Sequence, residues 1–363
     1  MRLRYGVIGA GVVAPLHLEA IAAVDDAQLV GISALNREAA ATLAQGAGTE
    51  AFADHRELLA LRPDVVVVCT PHPSHPALTA EALEVGAHVL VEKPLAPQVR
   101  EADAMIEAAD RASRLLGVCF QQRFRPVIAA ARELVVSGRV GELVRVSVVE
   151  PWYRPQSYYA AAGWRGTWEG EGGGVLMNQA PHTLDLLCHL AGPPATAWGV
   201  SRRRSQPMEA EDTATALLEF GNGALGTLAV STTEPGPQRI ELVGDRGRIE
   251  ISGETLAFQR FEPSLSAHLA TATGMFDQPE IVSESIELPP GRGDHRDVHE
   301  DFAAAIRTGR APRVPARDAL WSLELANAIV LSTHSGRAVP LPVDRDAYAT
   351  LLADLRSGKV STP

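Results

Sequence analysis

Residues 5–14 read YGVIGAGVVA. The opening Tyr-Gly-Val-Ile is a short, mostly apolar run of the kind a strand buried on both faces of a parallel sheet requires. Gly9-x-Gly11-x-x-Ala14 follows at once, and an alanine-rich helical pattern begins directly after it. Glycines in that place permit a tight turn and let backbone N–H groups approach a pyrophosphate. The positive end of the following helix then favours the negative charge. Ala14 in the third position still allows close packing of helix on strand. A lone GxGxxA says little, but at the head of a strand–helix–strand series it points to a dinucleotide. Gly9, Ala10, Gly11, Val12 and Val13 are the expected pyrophosphate loop.

The series continues as that reading requires. "QLVGIS", "DVVVVCT", "HVLVE" and "LLGVCF" read as further strands, with amphipathic helical stretches between them at 37–47 and 98–113. Alternation of this kind implies a doubly wound parallel sheet, here a dinucleotide-binding domain over residues 1–122. The second strand ends in "GISALNREAA", where an NAD enzyme usually carries an acid for the ribose hydroxyls. Here the position offers Ser33, Leu35, Asn36 and Arg37 instead. The missing carboxylate removes repulsion against a 2′-phosphate, which tilts the expectation toward NADP. Cys69, Thr70 and Pro71 form the next strand-to-helix turn, beside the expected nicotinamide ribose. His75 falls in the first turn of the helix after it. His72 and His75 also have a plainer reading as turn polarity and capping.

The stretch HVLVEKPLA, residues 88–96, ends a buried strand with an acid, a base and a proline. Charges at the carboxyl end of such a strand sit where open α/β sheets bind ligands. Pro94 keeps Lys93 out of helical geometry. Glu92 is placed to anchor Lys93 or to contact the nicotinamide side.

From about residue 140 the pattern changes to strands joined by short Gly, Asn or Asp turns, with "EFGNGALG" as a strong hairpin signal. A helix near 175–190 interrupts them and is expected to cover one sheet face. Further helices are expected at 296–308, 316–335 and 344–355. The expected fold is therefore α/β followed by α+β. A Rossmann domain is followed by a domain with a large open, mostly antiparallel sheet over residues 123–340, and residues 341–363 form a tail with a short helix.

Composition excludes several functions. Net charge is 33 − 44 = −11, so a nucleic-acid partner is not expected. The three cysteines, Cys69, Cys119 and Cys188, form no CxxC pair, so neither a disulfide framework nor a metal is expected. No run approaches the ~20 apolar residues of a membrane span. The N-terminus has a signal-peptide-like charge pattern, but Pro15, His17 and Glu19 interrupt it, and a cytoplasmic protein is expected. Six of the ten Trp and Tyr residues crowd into "WYRPQSYYAAAGWRGTW", residues 152–168. Flat apolar faces with a polar edge suit stacking on a sugar.

"GVIGAGVVAPLHLEAI", "TPHPSHPALTAEALEVGAHVLVEKPLA" and "EGGGVLMNQAPHTLDLLCHLAG" together resemble the Gfo/Idh/MocA family of nicotinamide-dependent oxidoreductases. The likeness spans nearly the whole chain, and EKP is its most specific piece. It implies NAD(P)(H) as cofactor, a sugar, inositol or other polyol as substrate, and a homodimer or homotetramer formed through the C-terminal sheet. It also implies that Lys93 contacts both substrate and nicotinamide ribose, that His182 is the general acid/base, and that Trp164 and Arg165 approach the nicotinamide.

The residues support those roles on their own terms. An imidazole with an ordinary pKa near 6.5 accepts a hydroxyl proton at neutral pH, whereas a lysine would need a shift of about three units. Lys93 is therefore the charged donor that stabilises a developing alkoxide. Many family members carry Asp where this chain has Asn178. A helix through this segment would place Asn178, His182 and Asp185 along one face. The substrate site is expected to draw on Lys93, Arg123, Tyr153, Tyr158, Trp164, Asn178 and His182. Gln121 is expected on the cofactor side. Arg123 either meets an anionic substrate group or pairs with a carboxylate. His295 either reaches the pocket or caps its helix.

Two other functions remain open on this reading. A redox-neutral glycosidase would oxidise a ring hydroxyl and then eliminate the glycosidic group. A nucleotide-binding redox sensor would do no chemistry, and it predicts a degraded Lys93 or His182, which the chain does not show.

Overall fold

The computed structural model describes residues 2–363, which divide into two compact units. Among the described residues the first unit runs to residue 124 and adds 169–172 and 292–323, and the second comprises 125–168, 173–291 and 324–363. The units are therefore discontinuous in sequence, unlike a linear division at 122 and 340.

In chain order the first unit runs β1 (Leu3–Ile8), α1 (Ala14–Ala23), β2 (Ala27–Ser33), α2 (Arg37–Ala47), β3 (Ala51–Phe52), α3 (His55–Ala60), β4 (Val65–Val68), α4 (His75–Glu84), β5 (His88–Val91), α5 (Val99–Ala112) and β6 (Leu116–Val118). All six strands are parallel, in the order β3-β2-β1-β4-β5-β6. This is the dinucleotide-binding order, and the strand order reverses between β1 and β4, where ligands bind. Burial explains the composition. The four valines of β4 are fully buried, as a strand covered by helices on both faces demands.

The second unit continues with α6 (Pro126–Val136), β7 (Leu143–Pro151), α7 (Gln156–Ala160), α8 (Pro181–Ala191), β8 (Thr196–Arg202), β9 (Thr213–Glu219), β10 (Leu225–Ser231), β11 (Arg239–Gly244), β12 (Gly247–Ser252), β13 (Thr255–Glu262), α9 (Leu265–Thr271) and β14 (Glu280–Glu284). Then come α10 (His295–Thr308), which belongs to the first unit, α11 (Ala316–Ser335), which belongs to the first unit as far as Leu323, β15 (Val339–Pro340) and α12 (Arg345–Arg356). The nine-stranded sheet has the order β14-β13-β12-β11-β7-β10-β9-β8-β15 and is antiparallel except where β7 meets β10. The expected hairpin joins β9 to β10, with Gly223 at φ +84 in its turn. Strands β8 and β9 alternate buried and exposed residues, which leaves one face of this sheet open.

One expectation fails. The helix at 175–190 begins only at Pro181, and residues 175–180 form consecutive turns. Proline lacks an N–H and suits the first helical position, while it disfavours helical geometry in the residue before it. Asn178 therefore lies in the turn before α8, not one helical turn below His182.

Candidate active site

In the first unit the loop after β1 fits a dinucleotide. Gly9 has φ +122, and a Cβ there would stand 2.5 Å from the Cys69 carbonyl oxygen, so no other residue fits. A Cβ at Gly11 would meet nothing within 4 Å, which leaves open space over the backbone where a pyrophosphate approaches. Val12 is 82% exposed in the same loop. At the end of β2, Ser33 is buried and Leu35 is fully exposed. Asn36 Oδ1 accepts from Ala39 N at 3.1 Å, so this side chain caps α2. Arg37 stands exposed beside it.

The turn after β4 is tied to the EKP stretch. His75 Nε2 lies 2.8 Å from the Thr70 carbonyl and its Nδ1 lies 3.0 Å from the Pro94 carbonyl. Burial holds His75 below its ordinary pKa, and a neutral imidazole donates to only one of these oxygens. His75 is thus a strut between the two loops. His72 is buried, with Nδ1 3.0 Å from the Glu171 carbonyl, and burial lowers its pKa to about 3, with the neighbouring His75 and Lys93 adding to the effect. Ser74 Oγ lies 2.7 Å from both Thr70 Oγ1 and the Pro71 carbonyl. Burial raises the Cys69 thiol far above its ordinary value, so it stays a thiol.

Strand β5 delivers Glu92, buried, and Lys93, half-buried. The backbone N–H of Lys93 donates to Glu92 Oε2 at 3.1 Å, so the carboxylate fixes where the lysine begins. Burial alone would raise the Glu92 carboxyl, but hydrogen bonds from His17 and His295 hold it well below the usual range. His295 opens α10, yet the residue that caps the helix is Asp294, which accepts from Arg296 N and Asp297 N. Gln121 sits in a short turn after β6 with its Oε1 buried and unbonded. Arg123 is 3% exposed, with Nη1 3.9 Å from Asp318 Oδ2. Of its two readings, pairing with a carboxylate is the one seen.

In the second unit the chemistry gathers around α8. His182 is 5% exposed, and its ring stacks on Trp152 with centroids 6.0 Å apart. Asn178 Nδ2 donates to the Tyr158 hydroxyl at 3.1 Å. Two guanidiniums flank the Tyr158 ring, Arg165 at 4.1 Å and Arg154 at 5.2 Å from the centroid. Arg165 also lies 5.4 Å from the Trp164 ring. Tyr153, in contrast, projects with half its surface exposed. The crowded aromatics thus form a layered surface leading to a buried imidazole.

Two buried acids hold this arrangement, and the sequence alone did not single them out. Glu211 Oε1 accepts from the backbone N–H of Gly174 at 3.0 Å and of Leu176 at 3.1 Å. Its own carbonyl accepts from Val175 N at 2.8 Å. Burial raises its carboxyl to about 7. Glu150 Oε2 accepts from Thr183 Oγ1 at 2.6 Å, next to His182, and from Gln238. Glu-Asp just before β9 and Glu-Pro at the end of β7 were the available signals, and neither carries a spacing that points to α8.

Similarity to known proteins agrees with this geometry. Residues 3–120 match the "Oxidoreductase family, NAD-binding Rossmann fold", and residues 128–250 match the "GFO/IDH/MocA C-terminal domain". A myo-inositol 2-dehydrogenase of Thermotoga maritima is 29% identical, over 93% of this chain and 98% of the relative. A D-glucoside 3-dehydrogenase of Escherichia coli is 30% identical, over 67% of this chain and 75% of the relative. Among solved structures, the WlbA dehydrogenase from Bordetella pertussis in complex with NADH and UDP-GlcNAcA is 30% identical with a TM-score of 0.81. That match covers 95% of this chain and 100% of the solved one.

Proposed function

The chain belongs to the GFO/IDH/MocA family of NAD-binding oxidoreductases acting on carbohydrate or polyol CH–OH groups, and from that premise we propose that it oxidises one secondary hydroxyl of a pyranose, inositol or glycoside. The observation that carries this reading is the buried His182 stacked on Trp152, beside the Asn178–Tyr158 hydrogen bond. It joins a proton acceptor to an aromatic face suited to a sugar ring.

A bound nicotinamide supplies hydride acceptance or donation. The chain's own residues do the rest. His182 takes the hydroxyl proton on oxidation and returns it on reduction. Lys93 holds the alkoxide through its ammonium, and Glu92 fixes the start of that side chain. Asn178, itself fixed by Tyr158, directs a neighbouring hydroxyl through its amide oxygen. Trp164 and Arg165 serve the cofactor side. At the ribose, exposed Arg37 and the absence of an acid favour NADP over NAD. The open face of the nine-stranded sheet carries exposed Trp198 opposite Leu217, which supports a homo-oligomer through that face.

The test is purified protein with NAD or NADP against inositols, free sugars, anhydrosugars and glycosides. Reduced nicotinamide and cleaved products are followed in parallel. A substrate that reduces cofactor, with that activity lost in Lys93→Ala, supports the dehydrogenase. Glycoside cleavage without net reduction would replace it with a redox-neutral glycosidase. No turnover of any substrate would remove the proposal.

A further inference from the structure

Four side chains that no spacing in the sequence connects meet inside the first unit. His17 comes from α1, Glu92 follows β5, Cys119 follows β6 and His295 opens α10. One ligand atom from each, His17 Nε2, Glu92 Oε1, Cys119 Sγ and His295 Nε2, lies within 4.8 Å of all the others. Glu92 Oε1 is 3.0 Å from His17 Nε2 and 3.4 Å from His295 Nε2. We propose that these four residues form a divalent-cation site, and that zinc is the ion the donor set fits.

The argument rests on donor chemistry, charge and surroundings. Two imidazole nitrogens, one thiolate and one carboxylate oxygen are all accepted zinc ligands, and the mixture of soft and borderline donors disfavours magnesium or calcium. Around a tetrahedral zinc, Zn–N near 2.0 Å and Zn–S near 2.3 Å place neighbouring donors about 3.3–3.6 Å apart. The Glu92–His295 separation falls within that range and the Glu92–His17 separation lies just below it, so modest side-chain rotation completes the site. Charge closes as well. A carboxylate and a thiolate contribute two negative charges, and a divalent ion leaves the buried centre neutral.

The outer layer has the form that metal-bound histidines show. His17 Nδ1 lies 3.0 Å from His299 Nε2. With Nε2 on the metal, the Nδ1–H donates to that nitrogen and fixes the ring's tautomer. The His17 and His299 rings meet edge to face at 5.3 Å, which holds both in place. Access is short. A cavity of about 200 Å³, whose charged lining is Glu19, Asp294, Arg292 and Arg296, opens beside His295, the ligand nearest the surface. Binding expels the Cys119 thiol proton to solvent, and the Nε2 protons that His17 and His295 donate to Glu92 move to Nδ1 or leave with it, so affinity rises with pH. Because Glu92 also receives the Lys93 N–H, an ion here ties α1, β6 and α10 to the strand end that presents the lysine.

The test needs no substrate and so is independent of the redox reading. Full-length protein is stripped with a chelator and titrated with zinc sulfate or cobalt chloride. The expected result is one ion per chain and, with cobalt, a thiolate-to-metal charge-transfer band. Cys119→Ser removes the band. His295→Ala, a substitution at the rim that leaves the core intact, weakens zinc by at least ~10-fold, the scale that losing even an outer partner produces. No stoichiometric ion, or binding unchanged by both substitutions, overturns the proposal and leaves a hydrogen-bonded cluster. The cobalt spectrum of the unsubstituted protein decides the question even where a variant fails to fold.

Discussion

Replacing Glu211 by Gln should flatten part of the pH dependence of stability. The side chain is fully buried, and Oε1 accepts two backbone N–H groups that a glutamine oxygen still satisfies. Its Oε2 is buried without a partner. Burial disfavours the charged form first, and the neighbouring Asp212 adds repulsion. Together they raise the carboxyl from 4.5 to about 7. The folded state then binds this proton more tightly than the unfolded state. The favourable linkage is full below pH 4.5, is lost progressively as pH climbs toward 7, and is gone above it. At about 1.4 kcal/mol per pH unit, the interval amounts to about 3 kcal/mol.

Glutamine has no proton to lose, so the variant lacks that slope. The assay is calorimetry of both proteins from pH 4.5 to 8. The difference between the two curves isolates Glu211, because every other titrating group is common to both. For a unit of this size, ~3 kcal/mol corresponds to roughly 6–12 °C in Tm. The variant should gain by that amount on the wild type between the acid and alkaline ends. Parallel Tm curves would refute a buried, titrating Glu211. Glu211→Ala makes the complementary point. It leaves the Gly174 and Leu176 N–H groups without an acceptor, at about 1–3 kcal/mol each, in the turn that carries Asn178.

The other expectations concern the reaction itself. His182→Ala should lose turnover by about 10²–10⁴-fold while retaining cofactor binding, measured by nicotinamide fluorescence; wild-type turnover would end its assignment as proton acceptor. Tyr158→Phe removes the acceptor of the Asn178 amide at 3.1 Å, and the cost of about 1 kcal/mol should appear as a fall of roughly 5-fold in kcat/KM. Arg37→Glu should lower the kcat/KM ratio of NADP to NAD, and an unchanged ratio would show that this exposed side chain plays no part in the choice.

The fold was legible because its signals are periodic and local. A glycine turn after an apolar run, four valines in a row and strands alternating with alanine-rich helices each declare themselves within a few residues. The second sheet was readable for the same reason, since residues of β8 and β9 alternate buried and exposed along their length. The helix before His182 was misread because apolar residues and alanine carry a helical pattern through 175–180, while the proline that delays the helix is a single residue. The return of 292–323 to the first unit left no trace in composition, because α10 there is amphipathic like any other surface helix.

The site was legible where regular structure stops and was hidden where it depends on distant partners. Lys93 stands out because charges and a proline follow a buried strand, and His182 because a helix opens beside a glycine run. The groups that hold them do not stand out. His17 reaches Glu92 across 75 residues and His299 across 282. Glu211 reaches Gly174 across 37. A sequence window sees a histidine in an apolar helix and an acid at a strand start, and both have bland local explanations. What changes their meaning is burial, because a carboxylate or imidazole out of water must find a partner or give up its charge. The same reasoning explains why cysteine spacing gave no hint of a cation site. The one thiol among its donors, Cys119, meets two imidazoles and a carboxylate only after α1, β5, β6 and α10 have folded together.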